Sequence, residues 1–228
     1  MDKKELQNPA LYTNRELSWL LFNKRVLSEA RDKQLLLFER LKFLSITASN
    51  LDEFFMVRIG SLVDMIHAEY TKKDIAGMSA KEQLDALMEE THKFAALQYS
   101  TYNRMLLPQL RANGLNFVEH HEQLTERQAQ YVDEYFEENV YPVLTPMAVD
   151  SSRPFPLIRN KTLNIGALVA KKGEKDTEIE FATVQVPSVL PRVVRIPAAK
   201  EGDTEVAVLL LEEIIERNIS KLFLNYNV

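Results

Sequence analysis

The second long apolar segment of the chain is interrupted by a short run of small and polar residues. The run Thr47–Asn50 breaks a stripe of apolar residues that otherwise repeats every three or four positions. Small polar residues inside an apolar helix occupy positions that the apolar pattern predicts to be buried, although polar side chains prefer water. Such conflicts concentrate at functional sites. An asparagine amide carries both a donor and an acceptor, which suits the edge of a nucleobase. The run therefore marks Asn50 as a candidate nucleotide contact.

Asn50 and Glu53 have the spacing of a capping box, which predicts that a helix restarts at Asn50. Two interpretations of this restart stay open. In one, Ser49 or Asn50 only caps the helix. In the other, the new N-terminus has free N–H groups that face a ligand. Arg58 lies two turns further on and is predicted on the same side as Leu51, where it either assists the ligand contact or forms an ordinary ion pair.

The histidines give a weak signal for a metal site. His120 and His121 lie beside Glu119 and Glu122, which are residue types that bind zinc. Adjacent residues rarely point the same way, and no regular ligand spacing is present. We therefore predict no metal site and interpret the histidines as surface or boundary residues.

Recognised catalytic motifs are missing from the sequence. It has no dinucleotide-binding glycine motif, no Walker A loop, no HExxH and no GxSxG. Adjacent carboxylates on the predicted helices diverge by about 100°, so they do not form an acid–base dyad. The absence of cysteine excludes a thiolate nucleophile and any cysteine-ligated metal. We predict no catalytic residue in this chain.

Length and charge limit the classes of function. A chain of 228 residues allows one large domain or two small ones. Its 33 acidic and 28 basic residues are interspersed and give a net charge of -5, so a nucleic-acid partner is not expected. The charged N-terminus has no apolar signal segment, and no apolar run approaches the ~20 residues of a membrane span. These features predict a cytoplasmic protein without a transmembrane segment.

Three long helical segments are predicted over residues 1–113, and short loops between them favour an up-and-down three-helix bundle. Asn14 or Thr13 is placed to cap the first, and Ser79 with Glu82 forms a capping box for the third. Gly114 supplies the residue type that ends a helix in a left-handed turn. The second segment is one long helix or two stacked coaxially. The segments are residues 14–32, 37–66 and 79–112.

Residues 114–228 are predicted to form a partial α+β domain. A capping box of Thr125 with Gln128 starts a helix that runs to about residue 140. Residues 172–176 are a predicted hairpin loop between two strands. No convincing closing strand follows, which is typical of an incomplete domain. The predicted strands are 162–171, 178–186 and 192–196, and the predicted last helix is 208–222.

Two long blocks of the sequence resemble the polyphosphate kinase family. The string Asn14–Ala30 is similar to the family's opening helix, and Glu39–Arg58 is similar to its most characteristic segment. Shorter blocks resemble its second, or head, domain, and the similarity follows the family's order along essentially all of the chain. These blocks are Thr145–Asp150, Pro154–Pro156, Val186–Pro187, Leu190–Arg192 and Leu211–Ile215.

The resemblance implies an enzyme that reversibly transfers the terminal phosphoryl group of ATP to inorganic polyphosphate, through a phosphohistidine and with Mg²⁺. It implies a helical N-terminal domain at 1–113 and a truncated head domain at 114–228, with dimer contacts in the head domain. Asn50 stands at the family's adenine-contacting position, and Arg58 is a minor candidate beside it. The resemblance leaves peripheral membrane association of the intact enzyme open.

The family's magnesium ligands, phosphate-gripping basic residues and nucleophilic histidine belong to two further C-terminal domains. Residues 1–228 alone are therefore predicted not to transfer phosphate, because positioning and charge stabilisation do most of that chemistry. The alternative is a non-catalytic helical interaction module or a nucleotide-sensing module. The interaction module would bind a partner through the aromatic segments at 54–55 or 136–141, unless those aromatics are buried in the bundle core.

Overall fold

The computed structural model describes residues 5–149, 155–173 and 179–228. The chain divides into two compact units, Met1–Leu110 and Arg111–Val228. The first unit is helical and the second combines helices with two sheets, so the predicted fold class is confirmed. Among the described residues, none of the helices has the length and apolar character needed to cross a bilayer.

Three rod-like helical stretches make up the first unit. A π-helical turn at Phe55–Ile59 joins α2 to α3, and another at Tyr102–Leu106 joins α4 to α5. The predicted bundle is confirmed, and its second member is the continuous pair α2–α3. The helices are α1 Arg15–Arg31, α2 Leu37–Phe54, α3 Gly60–His67, α4 Ala80–Thr101 and α5 Leu107–Ala112, preceded by short 3₁₀ turns at Glu5–Gln7 and Pro9–Leu11.

Asn14 fixes the start of α1 in two ways. Its Oδ1 accepts hydrogen bonds from the backbone N–H of Glu16 at 3.0 Å and of Leu17 at 2.9 Å, so the predicted cap is confirmed. Its Nδ2 donates to Asp74 Oδ2 at 2.7 Å and to Gln83 Oε1 at 2.8 Å. The cap of one helix is thereby tied to the first turn of α4 and to the loop before it.

The other predicted helix ends are also present. Glu82 N donates to Ser79 Oγ at 3.3 Å, and Ser79 N donates to Glu82 Oε2 at 2.7 Å. Thr125 and Gln128 form the same reciprocal box at the start of a helix in the second unit. Gly114 follows α5 with a φ of +79°, a conformation that costs glycine little because it has no Cβ.

A buried arginine joins α2 to the carbonyl end of α1. Arg40 Nε donates to Ala30 O at 3.0 Å, and Arg40 Nη1 donates to Gln109 Oε1 at 2.9 Å. A cation is favoured at this end of a helix because the last carbonyls carry the negative pole of the helix dipole. Around it the helices pack through apolar side chains, chiefly Leu20, Leu27, Leu44, Phe54, Leu62, Leu87, Phe94 and Leu106.

Two sheets organise the second unit. In the first sheet the order is β1-β6-β5, with β1 parallel to β6 and β5 antiparallel to it. In the second the order is β2-β4-β3-β7, with all pairs antiparallel. The strands are β1 Leu115–Val118, β2 Pro146–Val149, β3 Asn164–Lys171, β4 Glu180–Gln185, β5 Val193–Ile196, β6 Val206–Leu210 and β7 Tyr226–Asn227.

Three α-helices, one π-helical turn and two 3₁₀ turns complete the described part of the second unit. The helix α6 continues through the π-helical turn Phe136–Val140, so its predicted extent to about residue 140 is confirmed. Their bounds are α6 Glu126–Tyr135, α7 Leu211–Arg217 and α8 Ile219–Leu222, with 3₁₀ turns at His121–Gln123 and Tyr141–Val143.

The prediction of one helix over 208–222 is wrong at its start. Residues 206–210 form β6, and the helix α7 begins at Leu211. This segment is a strand and not a helix because it lies between β1 and β5, where its apolar side chains are buried and its backbone is paired on both sides. A closing strand also exists, since Tyr226 of β7 pairs with β3. β1 and β2 were not predicted as strands.

The predicted hairpin between β3 and β4 is confirmed by their antiparallel pairing. Part of its loop, residues 174–178, lies outside the described residues, as do residues 150–154. On the first sheet, α6 and α7 enclose the largest apolar cluster of the unit. Its fully buried members include Val132, Phe136, Val140, Leu209, Leu211, Ile214 and Ile215.

A bidentate ion pair joins α6 to α7. Arg217 Nε donates to Asp133 Oδ1 at 2.8 Å, and Arg217 Nη2 donates to Asp133 Oδ2 at 3.0 Å. Asn218 Nδ2 donates to Asp133 Oδ1 at 3.2 Å. The Arg217 guanidinium holds the pKa of the Asp133 carboxyl below its ordinary value.

Replacing Asp133 should make the free energy of unfolding less sensitive to a fall in pH through the acid range. Because its folded pKa lies below the unfolded value of ~3.9, the stabilisation is present above that pH and is lost as the pH falls through the folded pKa. Both partners are partly exposed, so we expect roughly 0.2–1 kcal/mol. Urea unfolding of wild type and Asp133→Asn from neutral to acid pH should show a difference that shrinks with acidification. Asp85→Asn, which removes an exposed pair with Lys81, is the control. A difference independent of pH would contradict the assignment.

Candidate functional site

A groove of about 240 Å³ lies beside Asn50, and we call it the Asn50 groove. Its residues from α2 and the following π-helical turn stand at positions i, i+3, i+4, i+7 and i+8 counted from Asn50, which is the spacing of one helix face. Two aromatic residues of α1 form the opposite wall. The complete lining is Trp19, Phe22, Asn50, Glu53, Phe54, Val57 and Arg58.

The predicted helix restart at Asn50 is wrong. The helix α2 continues through Asn50 to Phe54, and no capping box forms with Glu53. Backbone N–H groups inside a continuous helix are bonded to carbonyls four residues earlier. They are therefore not available to a ligand, and only the side chain of Asn50 can make a contact in the groove.

Asn23 determines how the Asn50 amide is oriented. Asn23 is fully buried, and its Nδ2 donates to the carbonyl oxygen of Thr47 at 3.1 Å. The Oδ1 of Asn23 is thereby left to accept from Asn50 Nδ2 at 3.0 Å. Gln98 Nε2 extends the network by donating to Thr47 Oγ1 at 2.9 Å. Within the described residues the side chain of Asn50 makes no other hydrogen bond, so its Oδ1 and one Nδ2 proton remain for a ligand.

The aromatic wall of the groove is a stacked pair with a third ring beside it. Trp19 stacks on Phe54 with ring centroids 4.4 Å apart and planes inclined by 10°. Phe54 is buried, whereas Phe22 lies 6.5 Å from Trp19 and is exposed. Such rings give a flat apolar surface on which a planar heterocycle can pack.

Arg58 connects the Asn50 groove to a neighbouring cavity of about 280 Å³. Its Nη1 lies 3.9 Å from the carboxylate of the buried Glu16, while nearly half of the Arg58 side chain is exposed. Arg58 thus forms the anticipated ion pair, and it also shares the groove with Asn50. Four basic residues line the cavity against two acidic ones, and these are Arg15, Arg58, Lys72 and Lys73 against Glu16 and Asp74.

The two adjacent histidines do not diverge as predicted. His121 Nδ1 lies 3.2 Å from Glu213 Oε2, and His120 Nδ1 lies 3.7 Å from Glu213 Oε1. Both rings therefore approach one carboxylate, which the sequence places 92 residues further along. Of the two reasons for predicting no metal site, the divergence of adjacent side chains therefore does not apply to His120 and His121.

Several residues of the groove were not singled out from the sequence. Trp19, Phe22 and Asn23 lie within the first predicted helix, residues 14–32, and none of them is a predicted site residue. A signal for Asn23 was available, because it is a lone amide within an apolar helix, the same conflict that marked Thr47–Asn50. The pairing of these two polar positions across α1 and α2 could not be read from their spacing.

Comparisons with known proteins agree along the whole chain. Residues 12–118 match the model of the polyphosphate kinase N-terminal domain, and residues 127–228 match that of the polyphosphate kinase middle domain. A polyphosphate kinase from Lactiplantibacillus plantarum is 50% identical over 217 residues, which are 95% of this chain and 29% of that protein. One from Halalkalibacterium halodurans is 45% identical over 225 residues, which are 98% of this chain and 31% of that protein.

A solved structure shows the same fold. The crystal structure of polyphosphate kinase from Porphyromonas gingivalis superposes with a TM-score of 0.82 at 31% sequence identity. The match covers 95% of this chain and 31% of the other. The chain thus spans somewhat under a third of the length of the relatives it matches.

Asn23 and Asn50 should be energetically coupled. We expect Asn50→Ala to lower the free energy of unfolding by about 0.5–1.5 kcal/mol and Asn23→Ala by about 1–3 kcal/mol, because the latter leaves buried groups unpaired. The double variant should show a coupling of about 1 kcal/mol. Urea unfolding followed by the fluorescence of Trp19, the single tryptophan, reports on this unit. Ser28→Ala, on the exposed side of α1, is the control, and its effect on the free energy of unfolding should add to that of Asn50→Ala without coupling. A coupling near zero for the asparagine pair would contradict the network.

Proposed function

The chain belongs to the polyphosphate kinase family, and we propose that its first unit supplies the adenine-contacting wall of that enzyme's nucleotide site. In this proposal the intact enzyme reversibly transfers the terminal phosphoryl group of ATP to inorganic polyphosphate. The observation that carries it is the Asn50 groove, in which an amide of fixed orientation faces a cleft with an aromatic wall.

The orientation of the amide favours adenine over guanine. Asn23 occupies one Nδ2 proton of Asn50, so the carbonyl oxygen Oδ1 is presented to the groove. That oxygen can accept from the exocyclic amine of adenine while the second Nδ2 proton donates to a ring nitrogen, the bidentate pattern by which asparagine recognises this base. Guanine carries a carbonyl oxygen in place of the amine and would set two acceptors against each other.

The surroundings of Asn50 suit the rest of a nucleotide. The exposed ring of Phe22 and the edge of the Trp19–Phe54 stack supply apolar contact for the base. Arg58 stands where the groove meets the cavity with excess basic residues. The excess positive charge of this partly enclosed cavity attracts anions, so we place the phosphates of the nucleotide on the Arg58 side of the groove.

Phosphoryl transfer itself is assigned to parts of the enzyme beyond these residues. We propose that the nucleophilic histidine, the phosphohistidine intermediate and the ligands of Mg²⁺ belong there, and that residues 1–228 alone are inactive. We also propose, from the family, that the second unit makes dimer contacts and that the enzyme is cytoplasmic.

The interaction-module alternative has less aromatic surface than its two segments predict. Phe54 and Phe136 are buried in the cores of their units, Phe55 is half-buried and Tyr141 is exposed, so neither segment offers more than one accessible ring. A nucleotide-sensing module would use the same Asn50 groove as the enzyme. It differs in requiring useful affinity from this chain alone, whereas we expect weak binding because phosphate contacts from other domains are missing.

Adenine nucleotides should change the fluorescence of Trp19, because this tryptophan lines the groove and no other is present to obscure it. We expect a saturable change with ATP, a smaller one with GTP, and a weaker response to ATP in Asn50→Ala. Ser49→Ala removes an exposed neighbour that does not line the groove and should respond as wild type does. An ATP response that is unaltered in Asn50→Ala would place the base elsewhere.

In the intact enzyme, Asn50→Ala should raise the KM for ATP more than it lowers kcat. The contact is made with the unreacting base and is therefore equal in the ground state and the transition state. Loss of the two neutral hydrogen bonds of the bidentate pattern, about 1–3 kcal/mol together, predicts a rise of roughly 5- to 150-fold. Steady-state kinetics with ATP at saturating polyphosphate test this, with Ser49→Ala as the matched control. A KM equal to that of wild type would count against the adenine assignment.

A further inference from the structure

The turn at His121–Gln123 and the helix α7 bring two imidazoles and three carboxylates together in the second unit. The ligand atoms of His121, Glu213 and Glu216 lie within 4.8 Å of one another. A second set of His120, Glu122 and the same Glu213 meets the same limit. Glu213 is common to both sets, so it is the centre of the cluster.

We propose that this His–Glu cluster binds a divalent transition-metal ion such as Zn²⁺, with His121, Glu213 and Glu216 as its protein ligands. The geometry fits such an ion. Donor atoms that share one zinc at ~2.0–2.1 Å with a tetrahedral angle lie roughly 3.3–3.4 Å apart. His121 Nδ1 and Glu213 Oε2 are already 3.2 Å apart. Glu216 is exposed, so its carboxylate is able to swing onto the ion.

The surroundings of these ligands hold them in place. The backbone N–H of His121 donates to Glu213 Oε2 at 2.9 Å and fixes that carboxylate. The other ring nitrogen of His121, Nε2, lies 3.6 Å from Glu122 Oε1. A carboxylate beside the far nitrogen of a ligating histidine is the usual outer-shell arrangement, because it fixes the ring and raises its basicity.

A plain ion pair explains less of the cluster. The contact of His121 with Glu213 is enough to fasten the turn to α7, and it needs a single carboxylate. It does not account for Glu216, whose side chain makes no hydrogen bond or ion pair within the described residues but still lies among the ligand atoms. It also leaves unexplained why His120 turns towards the second oxygen of Glu213.

The donor types select the class of ion. Imidazole nitrogen combined with carboxylate oxygen suits zinc and its neighbours, whereas magnesium prefers oxygen ligands throughout. The site is therefore distinct in chemistry from one for the Mg²⁺ of a nucleotide. Its ligands join a turn near residue 121 to a helix some 92 residues later, so a bound ion would act as a cross-link within the second unit.

The test is a calorimetric titration of the untagged 228-residue chain with Zn²⁺, in the absence and presence of excess Mg²⁺. We expect one ion per chain that Mg²⁺ does not displace. Glu216→Gln should weaken binding at least roughly tenfold, the smallest effect common even for outer-shell partners. Because the Glu216 side chain has no hydrogen-bond or ion-pair partner in the part of the chain that the structure describes, the thermal midpoint of Glu216→Gln without zinc should equal that of wild type.

Glu212→Gln is the matched control, since Glu212 is the neighbour of Glu213 on α7 but pairs with Arg192 at 2.6 Å. It should bind Zn²⁺ as wild type does. His92→Asn, far along the chain on α4, reports on adventitious binding by a surface histidine. Equal affinity in Glu216→Gln and wild type, displacement by Mg²⁺, or loss of binding in His92→Asn would each overturn the proposal. A zinc-induced rise of the thermal midpoint in wild type and Glu212→Gln, reduced in Glu216→Gln, would support the cross-link.

Discussion

The fully buried amide of Asn23 is the constraint on which the first unit depends. A polar group without water must find partners in the protein, and Asn23 finds them in the carbonyl of Thr47 and the amide of Asn50. Both partners belong to α2, so satisfying Asn23 fixes how far α1 can slide or rotate against α2. The same two hydrogen bonds decide which atoms of Asn50 remain for a ligand. The packing of α1 on α2 and the proposed recognition of adenine therefore both depend on the Asn23 side chain.

Rigid elements, and not loops, build the Asn50 groove. Its walls are two packed helices, and the stacked rings of Trp19 and Phe54 close the space between them. Asn14 holds the start of α1 against Asp74 and Gln83 through two hydrogen bonds. A site built on such elements keeps its geometry without a ligand, which reduces the ordering that binding must impose. This suits a wall that another part of a larger enzyme would complete.

The second unit shows where local patterns fail. The segment Val206–Leu210 has no helix or strand signal strong enough by itself, because a short apolar run suits either. Its position between β1 and β5 settles the matter by burying the side chains and pairing the backbone on both edges. The cluster around Glu213 has the same origin. Its residues are ordinary surface types, and they meet because the sheet returns α7 to the turn that follows β1.

The amino-acid sequence alone determined the fold class, the family and the helix caps at Asn14 and Ser79, and it marked Asn50 as a candidate site residue. These depend on apolar periodicity, on capping chemistry and on long matching blocks, all of which are local in the chain. Only the tertiary structure decided that α2 passes unbroken through Asn50, that Asn23 orients its amide, and that Arg58 shares the groove. It alone placed His121 beside Glu213. The physical reason is that hydrogen bonds and burial between elements distant in sequence outweigh local preference wherever a polar group leaves water.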